Sequence, residues 1–266
     1  MGFWERTWRE RSDVIQLAYG DTWPPETVTP FSWSDRIRCP GACALSLPPI
    51  DGSRDPRRHR RDDWLYLSLG LSQPIDEKQR ETERAAGKRY SAFGMEIALI
   101  TQAKSEWPKR ALYNFMTYFT DGEIINWGDR FPFGFYTLPD GSSTIYTGNP
   151  ANSNIIPTGK IRAVLFWPFI FPDWQFVTST GQFIVMVATG ITEVEWELAK
   201  STTTAHVVLL LCRSGIAQRT IPDRQCLLDD PRWQAEWEAI TTLSPQECEA
   251  EIEAGIGRWH VARDAS

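Results

Sequence analysis

The stretch Phe93-Gly94-Met95-Glu96-Ile97-Ala98-Leu99-Ile100-Thr101-Gln102 decides how the rest of the chain is arranged. Met95, Ile97, Leu99 and Thr101 alternate with Glu96, Ala98, Ile100 and Gln102, and a period of two over this length predicts a strand with one largely apolar face. We expect it at the centre of a sheet. Gly94 gives the backbone freedom for a bulge or close approach where the strand begins, and the bulky Phe93 is expected to plug the core. Glu96 is the anomaly. The ordinary place for a carboxylate among apolar neighbours is a rim with its head in water, the alternative being a buried, hydrogen-bonded anchor. Beside Phe93 on a central strand, it is expected to help fix the sheet.

On the N-terminal side, Trp64–Ser72 reads as a strand ending in a glycine turn, and the charged segment Asp76–Lys88 as a hairpin tip or loop helix. Further back, residues 3–19 place Trp4, Trp8, Ile15 and Leu17 among charges as an amphipathic helix that Gly20 can end. The Pro-rich segment Asp21–Asp63 reads as an irregular connection, with short extended pieces at Ser32–Arg38 and Ala42–Leu47.

On the C-terminal side, Pro108 opens a helix whose Ala111, Leu112, Phe115, Met116 and Phe119 recur at helical spacing, so one stripe packs on the sheet. Gly122–Trp127 resumes an extended pattern, and Asp129–Pro157 is loop-rich. Ile161–Trp167 and Gln182–Gly190 are predicted strands. Thr192–Lys200 is a short acidic helix, with Thr192 as its cap and glutamates in the positive first turn. The run Val207–Leu211 fits a core helix or a buried strand, its two valines favouring strand. Pro231 and Pro245 are expected to start two short helices in the acidic tail from Asp229.

The 266 residues, 42% hydrophobic, are enough for a full-sized core. A formal net charge of −6 argues against a general binder of nucleic acid or anionic membranes, because phosphate contacts need clustered Lys and Arg. The basic run Arg54–Arg61 reads as a solvated loop. Five cysteines, Cys39, Cys43, Cys212, Cys226 and Cys248, are odd in number and irregular in spacing, which fits a reducing compartment rather than a disulfide framework. Cys39 and Cys43 are half of a zinc site at best, so no metal is expected. The N-terminus lacks the apolar stretch of a signal peptide and no apolar run reaches the length of a bilayer span, so the protein is expected in the cytoplasm.

Catalytic motifs are missing. There is no Walker A loop, dinucleotide-binding glycine fingerprint, His-Glu-x-x-His pair or Gly-x-Ser-x-Gly elbow. His206, before an apolar run, reads as a satisfied core or boundary histidine. No catalytic residue and no cofactor are expected, and the chain is read as a non-enzyme.

Five pieces in order give the chain a resemblance to the suppressor of fused family, in its N-terminal domain. Leu65–Ser72 is similar to the family's strand followed by Gly-x-Ser, and Phe93-Gly94-Met95-Glu96-Ile97 to its Phe-Gly-x-Glu-Leu signature. Trp107-Pro108 with Leu112, Tyr113 and Phe115 resembles the helix that follows, and Gly122-Glu123-x-x-x-Trp127 the family's Gly-acid-x-x-x-Trp. Gly181–Glu195 resembles its glycine, apolar strand and Thr-x-x-Glu helix start. The resemblance spans about residues 60–230, with 229–266 as an acidic helical tail.

The resemblance implies one α/β (α+β) domain over residues 1–266, a mixed, mostly antiparallel sheet covered by helices, in a protein that works by binding another protein. In animal members a second domain follows and the pair clamps an extended peptide of a transcription factor; these 266 residues are expected to hold only the first. Tyr113 and Glu123 carry over from the family's peptide-facing edge, with Glu123 standing for an Asp. A further acidic position is replaced by Trp167-Pro168. Compact bacterial relatives include proteins thought to be immunity proteins against toxins of contact-dependent or type VI secretion systems. A bacterial immunity protein that neutralises a cognate basic toxin stoichiometrically is therefore the expected function, and a different protein-interaction scaffold the alternative, with an uncharacterised hydrolase-like enzyme second to it. The expected contact surface is Tyr113, Asp121, Glu123 and Trp127 with the acidic helix at Glu193, Glu195 and Glu197, where aromatic anchors stand beside carboxylates that steer a basic partner.

Overall fold

The computed structural model describes residues 2–19, 27–30, 43–47, 63–74, 76–120, 125–138, 143–147, 156–168 and 175–255. In chain order these form α1 (Phe3–Tyr19), β1 (Thr27–Pro30), β2 (Cys43–Leu47), β3 (Trp64–Leu69), α2 (Glu77–Ala85), β4 (Tyr90–Thr101) and α3 (Trp107–Thr120). They continue as β5 (Arg130–Thr137), β6 (Ser143–Thr147), β7 (Ile156–Pro157), β8 (Ile161–Pro168), β9 (Gln175–Thr178) and β10 (Gly181–Thr192). Helices α4 (Glu193–Ser201), α5 (Thr204–Arg213), α6 (Pro231–Ile240) and α7 (Pro245–Ala254) complete the order.

The strands form one mixed sheet in the order β1-β2-β3-β4-β10-β8-β5-β6, with β7 beside β5 and β9 beside β10. At its centre β10 runs parallel to β4 and antiparallel to β8; the other pairings are antiparallel. The alternation predicted around residue 96 is the register observed. Ile97 lies opposite Met186 and Ala98 opposite Val187, on two different faces. Ile97, Leu99, Met186, Ala188, Val164 and Phe166 pack with Ala111, Leu112, Phe115 and Met116, the predicted stripe of α3. Because α3 also contacts β6 and β2, the sheet curls round it. The opposite face carries Ala98, Ile100, Val185 and Val187 against Ile15 of α1, and Ala163, Leu165, Trp167 and Ile191 against α4–α7.

Two glycines are required by geometry. Gly94 has φ +72°, and a Cβ there would come within 2.8 Å of Tyr90 Cβ; the β4–β10 register shifts at this point, which is the bulge expected there. A Cβ on Gly190 would meet Thr220 Cγ2 at 2.6 Å, and the space lets Gly190 N donate to Thr220 Oγ1 at 2.7 Å.

Several expectations change. Phe93 is 39% exposed and does not plug the core, because the bulge turns it outward. Of the two readings of Asp76–Lys88, hairpin tip or loop helix, the helix is observed: α2, capped by Asp76, which accepts from Gln79 N at 2.7 Å. Within Asp129–Pro157, read as loop, residues 130–137 and 143–147 form the antiparallel pair β5–β6. Of Gly122–Trp127, residues 122–124 lie outside the described residues, Ile125 and Asn126 are irregular and Trp127-Gly128 is a turn, so no strand is seen there. Val207–Leu211 is helix, not strand: every residue from Thr204 to Cys212 is buried, so neither period shows in the apolar run. Ser32–Arg38 lies outside the described residues, while Cys43–Leu47 is a strand as expected. The two Pro-started helices of the tail are α6 and α7.

Candidate protein-interaction surface

Before a surface can be assigned, the charges that the fold itself uses must be removed from the list. Glu96 is fully buried, not at a rim. Its carboxylate accepts five hydrogen bonds: from Ser68 Oγ (2.6 Å), Gly70 N (3.0 Å), Leu71 N (3.3 Å), Ser72 N (2.9 Å) and Ser72 Oγ (2.7 Å). The turn that closes β3 is wrapped round it. Burial pushes the carboxyl up from its ordinary value, and the donors of Ser68, Ser72 and Gly70 oppose that rise. Both oxygens act as acceptors, which is the pattern of a carboxylate.

Arg11, fully buried on α1, completes this cluster. It donates from Nε to Ser72 Oγ (3.0 Å) and from Nη2 to Ser72 O (2.5 Å) and Thr180 Oγ1 (2.8 Å). Burial lowers its pKa to about 10, against the attraction of Glu96. One carboxylate thus joins β3 to β4, and through Ser72 and Arg11 it reaches α1 and the β9–β10 turn.

Glu195 is used in the same way. It is 0% exposed, forms a capping box with Thr192, and pairs with Arg224, whose Nη1 lies 2.6 Å from Oε1 and whose Nη2 reaches Oε2. Arg224 Nη2 also donates to Gly190 O at 3.0 Å. Glu195 is therefore removed from the expected contact surface: it fixes the start of α4 to the segment after α5. The signal was present in the sequence. Glu193 and Glu197 are four residues apart and share a helix face, whereas Glu195 is two from each and points the other way. Thr192-x-x-Glu195 is also the capping-box spacing.

Of the residues exposed on α4, Glu193 and Glu197 are the acids and the half-exposed Val194 the apolar one, with Lys200 and Ser201 at its end. Trp196 lies between Lys200 Nζ (5.1 Å from its ring centroid) and the Arg130 guanidinium (6.0 Å). Glu197 and Lys200 form an exposed pair at 2.7 Å. Trp127, 46% exposed, sits edge-on against buried Trp167 with centroids 5.3 Å apart. Two contacts hold the Trp127 turn and β5 to this helix region: Thr204 Oγ1 donates to Gly128 O at 2.7 Å, and Arg130 Nη1 donates to Ala199 O. Trp127 is thus tied to the last turn of α4 and the start of α5, while Glu193 and Glu197 stand exposed on α4 itself.

The other expected contacts do not join them. Tyr113 is half-buried on α3, packed against the core on the opposite face of the sheet. Asp121 and Glu123 lie outside the described residues. His206 is satisfied: Nε2 donates to Leu243 O at 3.0 Å, so Nδ1 can accept from Thr203 Oγ1 at 2.7 Å. Among the described residues no group of three His, Cys, Asp or Glu side chains is placed to hold a metal ion, and Cys39 is outside them. No helix among them is long and apolar enough to cross a membrane.

No family model matches the chain, and no curated protein matches it in sequence. Solved structures do match in shape. The crystal structure of the Sufu–Fu complex superposes with a TM-score of 0.63 at 19% identity, covering 88% of this chain and 96% of that one. The chain has the suppressor-of-fused fold. Drosophila Suppressor of Fused matches with a TM-score of 0.62, also at 19% identity, over 88% of this chain. The match takes in 54% of the Drosophila chain, about half of its length. Both coverages extend beyond the segment 60–230 on which the sequence resemblance rests, because the packing of strands persists where side-chain identity has gone.

Proposed function

We propose that this suppressor-of-fused-like chain is a protein-binding module rather than an enzyme, and that in the cytoplasm it neutralises a basic protein toxin by covering it stoichiometrically. The observation that carries the reading is the division of its carboxylates and aromatics. Glu96 and Glu195 are buried and saturated by structural donors, while Glu193, Glu197 and Trp127 are exposed, the two acids on α4 and the indole on the turn before β5. Acids of the first kind have no free edge for acid–base work. Those of the second kind can steer a basic partner, with an exposed indole ready to be desolvated at the interface.

Two further facts support it. The net charge of −6 favours capture of a basic protein, as toxins that act on nucleic acid tend to be. A protein of the same fold has been crystallised as the Sufu–Fu complex, so the fold is compatible with a protein partner. Tyr113, on the other side of the sheet, is the second part of the proposed contact surface, to which Asp121 and Glu123 are added from the sequence alone.

Co-expression with the product of the neighbouring gene, followed by titration of one against the other, tests the reading. Protection that needs one equivalent is expected. Protection at sub-stoichiometric amounts means turnover and overturns it. Charge reversal at Glu193 and Glu197 should slow association at low salt and lose its effect at high salt; an unchanged rate removes α4 from the interface without removing the binding function.

A further inference from the structure

A cleft of about 420 Å³ opens between α1, α2 and the β9–β10 turn, well away from α4. Its size is that of a small-molecule site. Arg6 of α1 and Arg80 and Arg84 of α2 line it, with Glu77 and Glu81 exposed at its rim. The one other carboxylate in the lining, Glu10, is already engaged: it accepts from Ser179 N at 2.5 Å and from Ser179 Oγ at 2.6 Å.

Arg80 is the anomaly. Its Nε and Nη1 are buried from solvent, yet among the described residues neither meets an acceptor. A guanidinium carries five N–H donors and cannot shed its charge, so burying donors without acceptors costs free energy unless a ligand supplies them. Arg80 also lies close enough to the buried Arg11 to oppose its positive charge. Glu96 and Glu10 offset the charge of Arg11.

We propose that this cleft binds a small oxyanion, a phosphate or carboxylate group, to which the Arg80 guanidinium donates once it turns from its solvent-excluded position toward the bound group. The oxygens of such a group form short charge-assisted bonds with a planar guanidinium. Arg6 and Arg84 add positive potential on either side of the bound group, and Glu77 and Glu81 limit the net charge the cleft tolerates, which favours a compact anion over a polyanion.

Thermal melts of the full chain in inorganic phosphate, in malonate and in chloride at matched ionic strength test this. In phosphate or malonate the Tm should rise with the logarithm of concentration, as for any ligand that binds only the folded state, and chloride should give no such rise. A response to phosphate alone identifies a phosphate group as the ligand, a response to malonate alone a carboxylate, and either supports the site. Arg80→Gln should abolish the response, and in chloride it should melt at the parental temperature or above it, because an uncompensated charge has been removed. Arg80→Lys, which keeps the charge but loses the planar guanidinium, should respond more weakly than the parent. A Tm rise equal in chloride, a response that survives in Arg80→Gln, or an Arg80→Gln that melts several degrees lower in chloride would each overturn the proposal. The last result would mean that Arg80 is a structural residue.

Discussion

Glu96→Ala removes the acceptor of five donors at once. The two serine hydroxyls can rotate to other acceptors, but the amides of Gly70, Leu71 and Ser72 are fixed by the turn and remain buried without a partner. Hydrogen bonds to a charged group are worth about 1.5–3 kcal/mol each, and a buried donor left unmade costs about 1–3 kcal/mol. Against this stands the relief of no longer burying a carboxylate, which desolvation pushes toward its neutral form. Breaking a buried charged cluster from one side costs on the order of 3–5 kcal/mol, and we take that as the net figure, since Arg11 also loses its nearby countercharge. At about 2–4 °C per kcal/mol for a chain of this size class, the midpoint should fall by about 6–20 °C. Glu96→Gln keeps one oxygen acceptor but turns an amide N–H toward the remaining donors, so it should fall between parent and Ala. Circular-dichroism melts with urea titrations provide the measurement, and partner affinity taken well below the lowest midpoint provides the control. An Ala variant that melts within about 2 °C of the parent, or one that loses affinity with its midpoint unchanged, would refute a structural role for the cluster.

Arg224→Met should cost on the order of 3–5 kcal/mol in urea unfolding because Glu195 is left buried and uncompensated, while Glu195→Leu combined with Arg224→Met should cost less than the sum of the two singles. Cys212 and Cys248 are buried, and burial raises both thiols above their ordinary value, so native-state alkylation at neutral pH should leave both unlabelled by peptide mass mapping until denaturant is added. Glu247 closes the capping box of α7, and its bonds to Ser244 hold its carboxyl below the ordinary value of 4.5. Its contribution to α7 is therefore present above that value and lost as pH falls through the lower folded one; amide exchange in the first turn of α7 should quicken there, and Glu247→Gln, which can still cap, should remove the pH dependence.

Sequence carried the fold where one side of an element meets water. The β4 alternation, the α3 stripe and the cap at Thr192 were legible because polar and apolar positions differ along them. Legibility failed where both sides are apolar, as in α5, or where the pairing partner supplies the order, as in β5–β6, whose Gly and Pro residues look like loop until the strands are side by side. The candidate surface was half legible. Helical phase alone separates Glu193 and Glu197 from Glu195, but the partner of Glu195 is Arg224, beyond the whole of α5, and no local pattern announces it. The same holds for Asp63 and Arg219, a buried pair between residues far apart in sequence. Glu96 reads as a rim residue until the Gly70–Ser72 turn is known to fold over it.

The buried charges also bear on what kind of surface α4 offers. Its first turn is fastened by Glu195 to Arg224 and by Thr192 to Glu195, its last turn by the Arg130 contact to Ala199, and α5 behind it is tied through Arg213 to Glu236 of α6 and Glu251 of α7. A helix held at both ends has little conformational freedom left to lose when a partner docks, so more of the contact energy appears as affinity. Tyr113, on the other face, packs against the core. A partner touching both would have to pass round an edge of the sheet, whereas one touching α4 and Trp127 alone stays on one side of it. Comparing Tyr113→Ala with Trp127→Ala against the same partner separates the two geometries. If both variants dissociate faster, the partner wraps the domain; if only Trp127→Ala does, the interface lies on the α4 side of the sheet and Tyr113 belongs to the core.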